Sequence, residues 1–229
     1  LKNIRMARES GTPICQDTGS VIVNVYHPLG LDTAAFQKAV EAAVEKATKD
    51  YLLRPNAVDP VTGKNTGNNV GINAPYLHFQ QWDKDEIRVK LMQKGGGSEN
   101  KSRIAMLKPA DGVEGVKKFV LEAVKIASAD PCPPIIVGVG VGGSFEQCAM
   151  NAKRALLREV GSVHPDPFYA DLERELYRKV NDLGIGPQPG AIEQLDPIAG
   201  GQAPYPGEVV KTVAFDPPPP ARQRAGLDR

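Results

Sequence analysis

Pro13-Ile-Cys15-Gln16-Asp17-Thr18-Gly19 gathers more reactive chemistry than any other stretch of the chain. A thiolate is a soft metal ligand. Here it stands directly before an amide, a carboxylate and a hydroxyl, groups able to hold a small polar substrate and to move a proton. A small buried hydrophobe is the ordinary role of a lone cysteine, and Asp17 and Thr18 would suit a turn before a strand. Neither role makes use of the whole Gln-Asp-Thr-Gly run. Cys132 lies in Asp130-Pro-Cys-Pro-Pro134, where the prolines hold the backbone extended. A thiolate fixed in this way has already lost the ordering entropy that metal binding would otherwise cost, although a structural cysteine is the alternative. Cys148 falls among Phe145, Ala149 and Ala152 in a helical pattern, and reads as a small apolar packing residue.

The other polar candidates each carry two readings. Arg54 could clamp a substrate carboxylate in bidentate fashion, or cap the carbonyls of a helix that ends just before it. Lys94-Gly-Gly-Gly-Ser-Glu-Asn100 follows a strand, so its amides could form an anion nest or simply a flexible loop. Gly138-Val-Gly140-Val-Gly142-Gly143 formally satisfies G-x-G-x-x-G. The acidic residue that a dinucleotide site needs on a following strand is absent, so tight strand–helix packing is the expected cause of these glycines. His27, His78 and His164 show no metal-ligand spacing.

Several elements must position these groups. Val21, Val23 and Val25 alternate and predict a strand over 20–26. Asp32 caps a helix whose apolar face is Phe36, Val40, Val44, Ala47 and Tyr51. A loop rich in Pro, Gly and Asn then runs to about Pro75. Further strands are expected at 87–93 and 135–141. Further helices are expected along Val113, Val116, Val120, Val124 and Ala127, along Phe145, Ala149, Ala152 and Leu156, and along Phe168, Leu172, Leu176 and Val180. The class is mixed α/β (α+β), with helices on mixed sheets and a single main domain. From Pro187 onward the last 43 residues hold nine of the 20 prolines and lose all periodicity, so an irregular, loosely packed tail is expected.

Length and composition bound the rest. The 229 residues suffice for one large domain or two small ones, and 41% hydrophobic with 24% charged residues is ordinary globular composition. A net charge of +1 gives no reason to invoke nucleic acid or an anionic membrane, and no apolar run reaches the ~20 residues of a spanning helix. Three cysteines at irregular spacing make a poor disulfide framework, and a reducing cytoplasm fits them better. The start at Leu1, without Met or signal pattern, reads as the interior of a longer chain.

Taken together, the segments 13–19, Leu53-Arg-Pro-Asn-Ala-Val-Asp-Pro60, Asn65-Thr-Gly-Asn-Asn69, Lys94–Ser102, Met106-Leu-Lys-Pro109, Asp111-Gly-Val-Glu-Gly115, Pro131-Cys-Pro-Pro134 and Gly138–Glu146 resemble the α subunit, or N-terminal domain, of the class I iron–sulfur fumarases and tartrate dehydratases. The resemblance is collinear over about residues 1–188. It implies an Fe-S hydro-lyase α domain over 1–188, truncated at its N-terminus, and a divergent tail over 189–229. It implies a [4Fe-4S] cluster with Cys15 and Cys132 as ligands, and Gln16, Asp17, Thr18, Arg54 and Gly97 in contact with a dicarboxylic substrate. Asp17 would be the proton donor or relay. It also implies a β subunit or C-terminal domain that completes the site within a homo- or hetero-oligomer. Two departures stand out: the segment in which the family carries its third cysteine ligand has no cysteine here, and the family's glycine-rich continuation is replaced by Pro189-Gly-Ala-Ile-Glu. The alternatives are a degenerate, non-catalytic α subunit and a dinucleotide-binding domain using Gly138–Gly143.

Overall fold

In the computed structural model, residues 8–11, 17–131, 135–185 and 210–215 are described. Helices and mixed sheets give the expected α+β class. The chain falls into two compact units, Leu1–Glu99 and Asn100–Arg229.

The first unit is built on a three-stranded sheet. Strand β1 (Ser20–His27) lies in the middle, parallel to β2 (Tyr76–Gln81) and antiparallel to β3 (Arg88–Lys94). Alternation alone predicts one buried face for β1, yet Ile22, Val23, Asn24 and Val25 are all buried. Burial of consecutive residues means that both faces of this central strand are covered, which suits the nearly continuous apolar run of 21–25. Strand β2 was not legible beforehand, because its sequence YLHFQQ is half polar and follows a loop. Its Leu77 and Phe79 are in register with Val23 and Val25. A parallel pair needs a long crossover, and residues 28–75 supply it.

That crossover contains α1 (Thr33–Lys49), started by the Asp32 side chain accepting from the Ala35 amide at 2.9 Å. Phe36 meets Phe79 edge-on with ring centres 6.0 Å apart, and Val44 and Thr48 are the buried residues. Tyr51, expected on the apolar face, instead has φ 60° and is 86% exposed. The helix closes at Lys49, and the amides of Leu52 and Leu53 both turn back to the Ala47 carbonyl. The fourfold spacing therefore breaks and Leu53 takes the buried place. A single turn, α2 (Gly96–Glu99), ends the unit inside the glycine run.

The second unit holds α3 (Gly112–Ala127), β4 (Ile135–Val139), α4 (Phe145–Ala155), α5 (Pro167–Asn181) and β5 (Val210–Phe215). Val120, Val124, Val139, Leu172, Leu176, Val180, Val213 and Phe215 form its core. Val120 and Val124 come from the predicted stripe of α3 and Leu172, Leu176 and Val180 from that of α5, while Val139 is supplied by β4 and Val213 and Phe215 by β5. Phe145 and Phe168 were expected in the stripes but are 62% and 56% exposed, because each lies in the opening turn of its helix, beyond the packed face. Gly138 and Gly140 allow α4 to lie on β4: a Cβ on Gly140 would stand 2.1 Å from the Cys148 carbonyl oxygen, and one on Gly138 2.3 Å from that of Ala152. Tight strand–helix packing is the reason for these glycines.

The expected irregular tail contains β5, parallel to β4, and for these six residues the expectation is corrected. Val213, Ala214 and Phe215 are buried. The Glu173 carboxylate accepts from the Phe215 amide at 2.9 Å, while Arg158 donates to the Phe215 carbonyl at 3.0 Å and pairs with Glu173. The two side chains thus satisfy a strand end as a neighbouring strand would, something that proline counts could not reveal. No helix among the described residues is long and apolar enough to cross a membrane.

Candidate functional site

The Asp17 carboxylate is the centre of the arrangement in the first unit. Its Oδ1 accepts from the Gly19 amide at 2.7 Å, closing a tight turn into β1, and from Asn56 Nδ2 at 2.7 Å. Its Oδ2 accepts from the Gly96 amide at 2.6 Å. Three segments far apart in sequence therefore meet at one side chain, and every contact uses Asp17 as acceptor. A carboxylate has about four lone-pair positions, so one on Oδ2 is unfilled among the described residues.

Gly19 makes the close approach possible. It has φ 82°, and a Cβ there would lie 2.5 Å from the Lys94 carbonyl carbon and oxygen. The turn into β1 is thereby pressed onto the end of β3, where the glycine run begins. Lys94 is itself held, with Nζ 2.5 Å from Ser98 Oγ and 3.6 Å from Glu99.

Thr18 Oγ1 accepts from the Arg54 amide at 2.8 Å. Its oxygen thus anchors the segment that carries Arg54, a use the sequence did not suggest. The Arg54 side chain is exposed and its guanidinium makes no ion pair among the described residues. Gly97 is exposed in α2, one residue beyond the amide that Asp17 binds.

Two residues of the site were missed: Asn56, which reaches Asp17, and Asn69, which is buried behind the Arg54 segment. The sequence offered a signal for both in the repeated asparagines of Leu53–Pro60 and Asn65–Asn69. Those side chains stitch the long loop: Asn65 Nδ2 donates to the Pro55 carbonyl at 2.7 Å, and Asn68 Oδ1 accepts from the Val70 amide at 3.0 Å. At the tip, Asp59 accepts from the amides of Thr62 and Val61, and the Thr62 amide above all holds its carboxyl below the usual range.

Cys15, Gln16 and Cys132 lie outside the described residues, and so does their expected convergence on one cleft. Cys148 is described: its thiol donates to the Gly140 carbonyl at 3.3 Å, within the packing of α4 on β4. Among the described residues no group of three or more His, Cys, Asp or Glu side chains could hold a metal ion. The chain has three cysteines in all. Cys148 is committed to packing, and the other two are Cys15 and Cys132.

Residues 1–196 match the family described as fumarate hydratase (Fumerase). Over 191 residues the chain is 44% identical to a Methanocaldococcus jannaschii protein provisionally named L(+)-tartrate dehydratase subunit alpha, covering 81% of this chain and 67% of that one. It is 38% identical to the L(+)-tartrate dehydratase subunit alpha of Escherichia coli K12, covering 81% of this chain and 62% of that one. A Geobacillus stearothermophilus protein provisionally named fumarate hydratase class I is 39% identical over 194 residues, 81% of this chain and 38% of its own length. The chain thus spans between 38% and 67% of the length of these relatives.

Proposed function

Because the chain belongs to the fumarate hydratase (Fumerase) family, we propose that it is the α portion of an iron–sulfur hydro-lyase acting on a small dicarboxylate. The reaction is the reversible hydration of fumarate to malate, or the dehydration of tartrate to oxaloacetate. One observation carries this reading: Asp17 joins the Gly19 turn, the Asn56 loop and the Gly96 amide, so three of the family-like segments surround one carboxylate.

Cys15 and Cys132 would hold a [4Fe-4S] cluster, which when bound supplies a Lewis acid that makes a substrate hydroxyl a better leaving group. Arg54, exposed and without an ion pair among the described residues, would bind a substrate carboxylate in bidentate geometry. Gln16 and the Thr18 hydroxyl hydrogen would contact the substrate's oxygens, and the Gly97 region would offer backbone N–H groups to its second carboxylate. Asp17 would take or return a proton at Oδ2, the oxygen that carries a single N–H partner. The remaining substrate contacts and the base acting on carbon would come from a β subunit or C-terminal domain.

A second reading is favoured by one specific observation. The thiol of Cys148 is bonded to the Gly140 carbonyl, which leaves two cysteines of this sequence, Cys15 and Cys132, for a site that takes three thiolates. A non-catalytic α subunit would keep the fold and lose the cluster. Anaerobic reconstitution with iron and sulfide, with a β partner present, separates the two. Visible absorption and EPR of a cluster, together with turnover of fumarate or tartrate, support the hydro-lyase. A folded complex with neither leaves ancestry alone.

A further inference from the structure

We propose that Asn69 is a positioning residue for substrate binding, acting through Arg54 and Asn56; this deepens the hydro-lyase reading and rests on it. Asn69 is 8% exposed and has φ 61°, a left-handed conformation that Asn tolerates far better than most residues. Its amide is fully used. Oδ1 accepts from the amides of Asn56 at 2.7 Å and Ala57 at 3.0 Å. Nδ2 donates to the Arg54 carbonyl at 2.7 Å and to Thr48 Oγ1 at 3.0 Å. Three of the four bonds thus fall on the backbone of residues 54–57, and the fourth ties that segment to the last turn of α1. Thr48 is anchored in turn by donating to the Val44 carbonyl at 2.8 Å.

The consequence for Arg54 is a fixed root with an unrestrained tip. Its amide is held by Thr18 Oγ1 and its carbonyl by Asn69 Nδ2, while its guanidinium makes no ion pair among the described residues. Two residues on, Asn56 has its amide held by Asn69 and its side chain donating to Asp17. Asn69 therefore sets both the origin of the carboxylate clamp and the link from that clamp to Asp17. Asn69 thus grips the Arg54 carbonyl and the amides of residues 56 and 57 that follow it, while Thr18 holds the Arg54 amide from the other side.

Two substitutions separate this role from simple stability. Asn69→Gly keeps the left-handed backbone and removes all four bonds. Asn69→Asp keeps the shape and the two acceptor contacts, and loses the donors to Arg54 and Thr48. In the chain reconstituted with its β partner, both variants should raise KM for fumarate, malate or L(+)-tartrate by about tenfold or more while kcat changes little. In an Arg54→Ala background the same substitutions should raise KM much less than they do in the wild type, because the clamp they position is gone and only the route through Asn56 remains. Hydrogen exchange on the chain itself should show the amides of Asn56 and Ala57 deprotected in Asn69→Gly and still protected in Asn69→Asp. Effects on KM that add independently to Arg54→Ala, or a folded Asn69→Asp with unaltered KM, overturn the proposal. Should Asn69→Gly fail to fold, Asn69→Asp decides alone. A wild-type assembly that turns over no dicarboxylate overturns the functional reading itself and this inference with it.

Discussion

Asp17 draws its importance from the number of segments it joins. Replacing it with Asn leaves one acceptor oxygen, so either the Gly96 amide or the pair formed by the Gly19 amide and Asn56 Nδ2 meets an NH2 group. An N–H left without a partner in a part-buried site costs about 1–3 kcal/mol. Asp17→Asn should therefore lower thermal stability by about that amount as well as abolish measurable turnover, and calorimetry beside kinetics checks both. A stability equal to wild type would mean that the carboxylate does not hold these loops together. Cys148 gives the opposite expectation. Its thiol is a small group making one weak bond to a carbonyl, so Cys148→Ala should cost less than about 1.5 kcal/mol and leave the iron content after reconstitution unchanged. Loss of iron in this variant would make Cys148 a ligand after all.

Among the elements, β4 and α4 show how glycine can be chosen by packing rather than by ligand chemistry. A methyl group at Gly140 would sit 2.1 Å from the Cys148 carbonyl oxygen, and backbone cannot move aside as a side-chain tip can. Gly140→Ala should destabilise the fold by about 1–3 kcal/mol or more, read as a lower midpoint in urea. A neutral result would reopen a ligand role for the glycine run. Helices α3 and α5 are joined by ions instead. Lys117 Nζ lies 2.8 Å from Glu114 and 2.7 Å from Glu175, and Lys179 takes the second oxygen of Glu175 at 2.7 Å. The Lys117 bond above all holds the Glu175 carboxyl at about 2, against an ordinary 4.5. A depressed carboxylate stabilises the fold above its unfolded value and loses that contribution as pH falls through the folded one. The melting-temperature advantage of wild type over Glu175→Gln should therefore be full above pH 4.5 and vanish toward pH 2. An advantage that persists at pH 2 would contradict the network.

The whole chain divides into units whose interiors are closed by residues distant in sequence. In the second, Phe215 is 2% exposed, stands in the core with Leu172 and Leu176, and has both backbone groups held by Glu173 and Arg158. It lies beyond the 1–196 stretch that matches the family, yet burial of this kind makes it part of the fold. Phe215→Ala should cost about 3–5 kcal/mol, measured by denaturant titration followed through helical circular dichroism. A cost below about 1 kcal/mol would show that β5 contributes little to that core.

Local chemistry was written in the sequence. The alternating valines of β1, the apolar stripes of α3 and α5 and the Asp32 cap each depend on near neighbours, and each formed at its expected place. The family was legible too, because its motifs are short and collinear. Contacts between distant segments were not. Asp17 reads as one acid beside a cysteine until Gly19, Asn56 and Gly96 are seen to meet at it, and Asn69 reads as one loop asparagine among several until its four bonds converge on residues 54–57 and Thr48. Strand β2 and strand β5 were hidden for the same reason: a half-polar or proline-flanked segment becomes a strand only when a partner offers its edge. Hydrogen bonds across 12 to 79 positions of sequence carry no periodicity, so only the folded chain could decide which polar residues belong to the site.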